Sequence, residues 1–421
     1  MIVVTSYELA HALNIELPSA CRMLILDPID KITLSNIPFV EEIFSSINNN
    51  NIKHLAGGLP SERSFPIDLI NEHATQLLTE RSLYQYSSPS GYQPLIDHLF
   101  KRYQLNTNQA LMISNGAQQG LDLICRTFLQ PGYKVAVETP CFPGLIQVLK
   151  LVGAEIIEVD PLSWASSVQS VFATHCPKLF FAVPDFSNPT GLTWSQEQRA
   201  HVAKLCVEHN VVLVEDAPYR ELRYSGQPLP LASDYCPDHS IVLRSFSKTV
   251  APGIRLGAIY GPRAMISALS TTKQITDVHS SVPLQSVLLG LLKDPRFPVH
   301  LETTVSHYRD KYQIADQVLG RLLSNRFTVN KIEGGMFLWI KVPYCDSLHL
   351  ARFLLQKHIA VMPSVSFYPS MDNVEPAIRI NFTRINENDI APTLSLLCES
   401  LNDYFSEKNK KDFINEKLIS C

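Results

Sequence analysis

The segment Ser245-Phe-Ser-Lys-Thr-Val-Ala-Pro-Gly-Ile-Arg-Leu-Gly257 is the most informative stretch of this 421-residue chain. It places two serines, one lysine and one arginine on a predicted turn, where all four side chains can face one bound phosphate ester. Serine hydroxyls are short donors to phosphate, and a guanidinium donates through two N–H groups at once. A lysine amine can also form a Schiff base with an aldehyde. The segment therefore predicts a site for a ligand that carries both an aldehyde and a phosphate.

Pyridoxal 5'-phosphate (PLP) is the common cofactor that carries both groups. We predict that Lys248 binds its aldehyde, and that Ser245, Ser247 and Arg255 bind its phosphate. A lone Ser-x-Ser-Lys segment also occurs by chance in proteins where the lysine is a solvated surface residue. The prediction therefore depends on what the rest of the chain supplies.

A carboxylate at the pyridinium nitrogen is the next requirement, because it keeps the ring protonated and able to accept electrons from a substrate carbanion. The apolar run 211–214 is typical of a buried strand, and Glu215 and Asp216 follow it at once. We predict that Asp216 is this carboxylate. An acid in such a position can alternatively cap a helix.

Two further residues can donate to the phenolate oxygen of the ring. Asn188 follows the apolar run 179–183, and Tyr219 lies three residues after Asp216. Taken alone, Asn188 could be a turn residue, since Asn-Pro and Thr-Gly pairs mark turns, and Tyr219 could be a packed aromatic. The pattern gains weight from location, because Asn188, Asp216 and Lys248 each follow or end a predicted strand. In open α/β sheets, ligands bind beyond the carboxyl ends of the strands.

With these residues in place, the chain resembles the class I/II, fold type I, PLP-dependent aminotransferases, and within them the kynurenine/2-aminoadipate aminotransferase branch. The matching motifs run in family order across roughly residues 35 to 400. They are Ala56-Gly-Gly-Leu-Pro60, Gln85-Tyr-Ser-Ser-Pro-Ser-Gly91, Asn115-Gly-Ala-Gln-Gln-Gly120, Asn188-Pro-Thr-Gly191, Glu215-Asp-Ala-Pro-Tyr219, the Lys248 segment, Glu333-Gly-Gly-Met-Phe-Leu-Trp339 and Ile378-Arg-Ile-Asn-Phe382.

The resemblance implies an α/β fold with a large domain, built on a mostly parallel seven-stranded sheet flanked by helices, and a smaller α+β domain. It implies transfer of an amino group from an L-amino acid to a 2-oxo acid in a ping-pong reaction, with Lys248 as the base that moves the Cα proton and Asp216 and Tyr219 beside it. The layout we expect is an N-terminal arm with part of the small domain over 1–60, a large PLP-binding domain over 61–295, and a small C-terminal domain over 296–421.

Further cofactor contacts follow from the resemblance. Residues 116–118 are expected to open a helix whose free N–H groups point at the phosphate, with Ala117 and Gln118 lining it. The family branch usually has Ser where this chain has Ala117, so one hydroxyl contact is missing here. Phe142 falls where the family stacks an aromatic ring on the cofactor. Tyr86 matches a tyrosine that reaches the neighbouring subunit's phosphate, which implies a homodimer with shared active sites.

Substrate contacts are implied in the same way. Arg379 matches the arginine that binds the substrate α-carboxylate as a bidentate pair, and Asn188 stands beside the substrate. Gly58 fits a position where the backbone approaches the substrate closely, a use for a residue without Cβ. In this branch an arginine near the start of the N-terminal helix can meet a distal carboxylate. Pro38 occupies that place here, with Phe39 next, so the sequence favours a neutral or apolar amino donor.

The composition is that of an ordinary soluble globular protein. The formal net charge of −4 and the isoelectric point near 6.4 give no electrostatic case for nucleic acid. The nine cysteines show neither metal-ligand spacing nor a disulfide framework, so we expect no metal and a reducing, cytoplasmic location. No apolar run approaches the ~18 residues of a membrane helix, and we expect neither a signal peptide nor membrane binding.

Two alternatives remain. Some relatives fuse this fold to a DNA-binding domain, but the segment before Ala56 holds only Arg22, Lys31 and Lys53 as basic residues. The second alternative is a PLP-dependent cyclase, lyase or oxidase of the same fold, because these reactions also begin with Cα deprotonation. The motifs around PLP do not separate them from transamination. A requirement for a 2-oxo acid would.

Overall fold

The computed structural model describes residues 39, 42, 43, 45, 51–160, 164–372 and 374–419, of which 164–166 and 407–419 are described by backbone alone. Its strands are β1 (Lys53–His54), β2 (Gln109–Ser114), β3 (Lys134–Glu138), β4 (Glu155–Val159), β5 (Leu179–Ala182), β6 (Val212–Asp216), β7 (Ser240–Ser245), β8 (Gly257–Pro262), β9 (Thr328–Val329), β10 (Phe337–Lys341), β11 (Ile359–Ala360), β12 (Met362–Pro363) and β13 (Ala377–Asn381). Its α-helices are α1 (Ile67–Leu77), α2 (Gln93–Arg102), α3 (Gly116–Phe128), α4 (Pro143–Leu151), α5 (Trp164–His175), α6 (Gln196–Glu208), α7 (Arg263–Asp277), α8 (Val282–Lys293), α9 (Arg296–Leu322), α10 (Ser347–Gln356) and α11 (Glu387–Ile419).

The largest sheet has seven strands in the order β2-β8-β7-β6-β5-β3-β4. Strand β8 is antiparallel to both β2 and β7, and the other neighbouring pairs are parallel. The predicted mostly parallel seven-stranded sheet is therefore confirmed. The three apolar runs taken as strands before Asn188, Asp216 and Lys248 are β5, β6 and β7, which lie side by side.

Helices cover both faces of this sheet, which explains why its central strands are apolar on both sides. One face packs against α3, α4 and α7 around residues such as Val137, Phe181 and Val214. The other face packs against α2 and α8 at one end and against α5 and α6 at the other. Because helices cover both faces, a ligand can approach this sheet beyond the ends of its strands.

The C-terminal part forms a second core around an antiparallel sheet in the order β12-β13-β10-β9. Strand β1 pairs in parallel with β11, and the N-terminal residues Phe39, Ile43, Leu55 and Ala56 are buried in the same core. The second core thus draws on both ends of the chain and brings β13 to the edge of the large sheet. Within the described residues, no helix is long and apolar enough to cross a membrane.

Candidate active site

A cavity of about 750 Å³ lies at the carboxyl ends of β5, β6 and β7, between the large sheet and the C-terminal sheet. Its wall contains every site residue predicted from the sequence except Tyr86. These residues are Gly58, Ala117, Gln118, Phe142, Asn188, Asp216, Tyr219, Ser245, Ser247, Lys248, Arg255 and Arg379. The fold therefore brings together residues that are spread over more than 300 positions of the chain.

Lys248 lies in the turn that follows β7, with its amine directed into the cavity. Its Nζ donates a hydrogen bond to the carbonyl oxygen of Gly58 at 2.8 Å. Burial lowers the pKa of Lys248 to about 8, and the charges of Arg379 and Arg255 act in the same direction. A larger share of the amine is thus unprotonated near neutral pH, which is the form that attacks an aldehyde.

Asp216 is the last residue of β6 and is buried at the floor of the cavity. Its Oδ1 has no hydrogen-bond partner among the described residues, although a buried polar atom without a partner is costly. Burial raises the pKa of Asp216 to about 7. An acceptor of this kind is suited to an N–H donor supplied by a ligand.

The opposite end of the cavity is formed by the start of α3 and the turn that carries Arg255. Arg255 adopts a left-handed backbone conformation (φ 49°, ψ 51°), and its Nη1 lies 3.5 Å from Ser247 Oγ. Its Nη2 donates to the carbonyl of Asn115 at 3.1 Å. Gly116 has φ +80°, and a Cβ there would lie 2.8 Å from Arg255 Nη2, so this position requires glycine. The N-terminal turn of α3, two serines and a guanidinium thus lie in one cavity wall, an arrangement that suits an anion.

Arg379 lies on β13 and is buried above the cavity. Its Nη1 donates to Asn188 Oδ1 at 2.8 Å and its Nη2 donates to the carbonyl of Ala56, while its Nε has no partner among the described residues. Its guanidinium carbon lies 4.4 Å from the ring centroid of Phe337. Burial lowers the pKa of Arg379 to about 10, so the group stays charged at neutral pH. A buried cation of this kind suits a carboxylate.

The remaining predicted residues occupy different settings. Tyr219 packs edge-on against Phe337, and burial raises the pKa of its phenol. Phe142 precedes α4 at the cavity wall. At Gly58 an added Cβ would meet Phe337 at 3.6 Å, an ordinary contact, so crowding within the protein does not explain this glycine. Tyr86 is 81% exposed and lies against His279, outside the wall of this cavity.

Two parts of the site were not predicted from the sequence. Asn381 donates to the carbonyls of Gly57 and Leu59 at 2.7 and 2.8 Å and thereby fixes the segment that carries Gly58. Its position two residues after Arg379 puts both side chains on one face of β13, which is a signal that could have found it. The second part is the cavity wall over 362–371, together with Gln147 and Lys150 on α4. The segment 362–371 consists of the short strand β12, a 3-10 helix over Ser364–Phe367 and a bend, elements too short to give a periodic sequence pattern.

These features fit PLP. The buried Asp216 acceptor without a partner suits the pyridinium nitrogen, the anion site suits the phosphate, and the amine of Lys248 lies in the same cavity wall. PLP requires these three chemical functions from a protein.

Comparison with known proteins agrees. Residues 56–395 match the model of the family "Aminotransferase class I and II". The chain is 30% identical over 373 residues to the 2-aminoadipate transaminase of Thermus thermophilus, covering 86% of this chain and 93% of the relative. It is 27% identical over 382 residues to aromatic-amino-acid aminotransferase 1 of Thermococcus litoralis, covering 86% and 91%.

A solved structure shows the same fold. The α-aminoadipate aminotransferase of Thermus thermophilus, complexed with N-(5'-phosphopyridoxyl)-L-leucine, superposes with a TM-score of 0.82 at 28% identity, covering 90% of this chain and 97% of that one. These comparisons support amino-group transfer and give no support to the cyclase, lyase or oxidase alternative. The chain belongs to the class I and II aminotransferases, fold type I enzymes that use PLP to move an amino group from an amino acid to a 2-oxo acid.

Proposed function

We propose that Lys248, Asp216, Tyr219, Asn188 and Arg379 carry out amino transfer in this enzyme, on a neutral or apolar amino donor. The observation that carries the assignment of residues is the unpartnered Oδ1 of Asp216 in the same cavity as the Lys248 amine and the Arg379 guanidinium. When bound, PLP supplies an electron sink that stabilises negative charge at the substrate Cα.

Each residue has a distinct task in this proposal. Arg379 binds the α-carboxylate, with Asn188 holding one guanidinium nitrogen in place. Lys248, whose Nζ is held at the carbonyl of Gly58, would take the proton from the substrate Cα and pass it to C4' of PLP, the carbon that carries the aldehyde. Asp216 would accept the N–H of the pyridine ring, and Tyr219 and Asn188 would donate to its phenolate oxygen. Ser245, Ser247, Arg255, Ala117 and Gln118, which line the cavity, would hold the phosphate.

The proposed donor class rests on the cavity wall and on one position in the N-terminal segment. Apolar side chains line part of the wall, among them Ile146, Met362, Val365 and Met371. The arginine that could meet a distal carboxylate in related enzymes is replaced by Pro38, which lies outside the described residues. An apolar wall favours a donor side chain that has no charge to desolvate.

A screen of single amino acids against the purified holoenzyme, without a 2-oxo acid, tests the donor class. Each donor that reacts converts the bound cofactor to its amine form and changes the visible absorbance. We expect neutral donors with large apolar side chains to react fastest. Because Lys150 also lines the cavity, the screen includes glutamate and 2-aminoadipate. If these two react fastest, the donor class is wrong although the catalytic residues stand.

We also propose a cytoplasmic homodimer with shared active sites and the domain boundaries 1–60, 61–295 and 296–421. The exposed ring of Tyr86 outside its own cavity supports a role in a neighbouring subunit. The start of α9 at Arg296 supports the second boundary.

Mixing inactive Lys248→Ala and Tyr86→Ala chains should restore part of the activity through hybrid dimers that have one intact site. Hybrids that form without recovered activity would argue that Tyr86 does not serve the partner's site.

A further inference from the structure

A buried ion pair lies beneath the first turn of α3, outside the cavity wall. The Lys273 side chain has no exposed surface, and its Nζ is 2.7 Å from each carboxylate oxygen of Asp277. Both residues belong to α7, one helical turn apart. Asp277 retains 24% of its side-chain exposure, so the lysine is the more deeply buried member.

Two amide side chains connect this pair to the proposed phosphate site. Asp277 Oδ2 accepts hydrogen bonds from Asn115 Nδ2 and Gln119 Nε2, both at 2.6 Å. Gln119 Oε1 in turn accepts from the backbone N–H of Asn115 at 2.7 Å and from Lys273 Nζ at 3.2 Å. Asn115 is the residue that precedes α3, and its carbonyl accepts from Arg255. The pair is therefore linked through Asn115 to the guanidinium in the anion site.

The charges of the pair bear on anion binding. Asp277 alone would place a carboxylate next to the turn that is proposed to bind the phosphate, and two negative charges repel. Lys273 cancels this charge. Burial lowers the pKa of Lys273, and its hydrogen bond to Asp277 acts in the opposite direction. The acid can thus orient Asn115 and Gln119 without opposing the phosphate, provided that the lysine is present.

The backbone after Asp277 adopts a rare conformation. Val278 has φ 65° and ψ −65°, and the N–H of His279 donates to the carbonyl of Asp277 at 2.7 Å. This is a γ-turn with a positive φ at its centre, which is strained for any residue and unusual for a β-branched one. Such strain persists where surrounding contacts hold it. The turn ends α7 directly after the carboxylate that contacts Asn115 and Gln119.

We propose that Lys273 and Asp277 form a charge-balanced positioning pair that sets the first turn of α3 for the cofactor phosphate. Asp277 orients Asn115 and Gln119, and Lys273 removes the repulsion that Asp277 would otherwise exert. The proposal rests on the assignment of the phosphate to the α3 turn, Ser245, Ser247 and Arg255. If the proposal is correct, changes in the pair should weaken the binding of a phosphorylated cofactor more than the binding of one without phosphate. A role in folding alone does not predict this difference.

Titration of the apo-protein with PLP and with pyridoxal, which lacks the phosphate, tests the pair through cofactor affinity. Lys273→Met leaves Asp277 uncompensated and should weaken PLP binding about tenfold or more. Pyridoxal binding should change far less. Adding Asp277→Asn removes the excess charge while keeping an acceptor for Asn115, so the double variant should recover most of the PLP affinity.

Two further variants separate the possible failures. Arg126→Met breaks an exposed ion pair with Asp122 on α3. This variant should leave the affinities for PLP and for pyridoxal unchanged. Arg255→Ala should weaken PLP binding more than pyridoxal binding, and if it does not, the phosphate assignment itself is wrong. If Arg255→Ala behaves as expected, the positioning pair is refuted by equal losses for PLP and pyridoxal in Lys273→Met. Should Lys273→Met fail to fold, the double variant Lys273→Met/Asp277→Asn tests the proposal instead, and a preference for PLP over pyridoxal well below that of the wild type would overturn it.

Discussion

Two buried aspartates, Asp185 and Asp216, lie near the carboxyl ends of adjacent strands and have opposite surroundings. Asp185 accepts from Arg199 Nη2 and Arg220 Nη1, each at 2.8 Å, and Arg223 approaches it to 3.6 Å. Burial would raise the pKa of Asp185, but the hydrogen bonds and charges of Arg199 and Arg220 outweigh it and hold that pKa below its ordinary value. Among the described residues no cation pairs with Asp216, and burial raises its pKa to about 7.

The contrast separates a structural region from a functional one. Arg199 is completely buried and also donates to the carbonyls of Trp194, Pro184 and Pro230. The polar groups around Asp185 therefore find their hydrogen-bond partners within the protein. Asp216 keeps an unpartnered oxygen at a cavity, which costs folding free energy unless a ligand supplies the donor. A buried acid that is paired within the protein needs no ligand, whereas an unsatisfied one at a cavity is a candidate binding group.

The largest effect on the functional region should come from Lys248→Ala. Loss of the amine removes both the attachment to PLP and the proposed proton carrier, so turnover should fall by about 10⁴-fold or more. Borohydride treatment followed by peptide mass spectrometry should find the cofactor fixed to Lys248 in the wild type and not in the variant. A reducible linkage that survives in the variant would refute the assignment of Lys248.

Asp216→Ala should reduce turnover by about 10³-fold, because the ring loses its preorganised electrostatic partner. Stability of the apo-protein should change little, by under about 1 kcal/mol, because the carboxyl that is removed was buried without a partner on Oδ1. Steady-state kinetics and denaturant unfolding measure the two quantities. Near-normal turnover would show that another acid serves the ring.

Arg379→Ala should lose roughly 100-fold in kcat/KM with amino acids, corresponding to about 3 kcal/mol for one partner of a desolvated charge pair. The matching decarboxylated amines have no carboxylate to bind and should lose far less. Absorbance of the bound cofactor should stay normal. Equal losses for amino acids and amines would leave the carboxylate receptor unidentified.

Arg199→Met tests the structural region and should have the smallest direct effect on chemistry. It leaves Asp185 buried with its chief partner removed, so the free energy of unfolding should fall by about 3 kcal/mol in denaturant titration. Lys204→Met, which breaks an exposed pair with Glu208 on the same helix, should cost under about 1 kcal/mol. Similar small losses in both variants would end the distinction between the two aspartates.

Local features of the site were predictable because they depend on residues close together in the chain. Asn188, Asp216 and Lys248 each follow or end a short apolar run, and such runs in an α/β chain are typical of buried parallel strands. The opening of α3 at Gly116 follows from a local motif in the same way. If these strands are neighbours in the sheet, the three residues lie together beyond the carboxyl ends of the strands, where ligands bind in open α/β sheets.

Long-range contacts were decided by the tertiary structure. Arg379 meets Asn188 across 191 positions and Ala56 across 323, and only the fold of the second core onto the sheet edge sets those distances. The wall over 362–371, the exposure of Tyr86 and the ion pair of Lys273 beneath Asn115 depend likewise on packing between distant segments. Residue types and their local order were enough to select PLP as the cofactor, but they did not separate transamination from the other reactions that begin with Cα deprotonation. Tertiary structure determined which acids are satisfied, because burial and partners arise from contacts that no local pattern encodes.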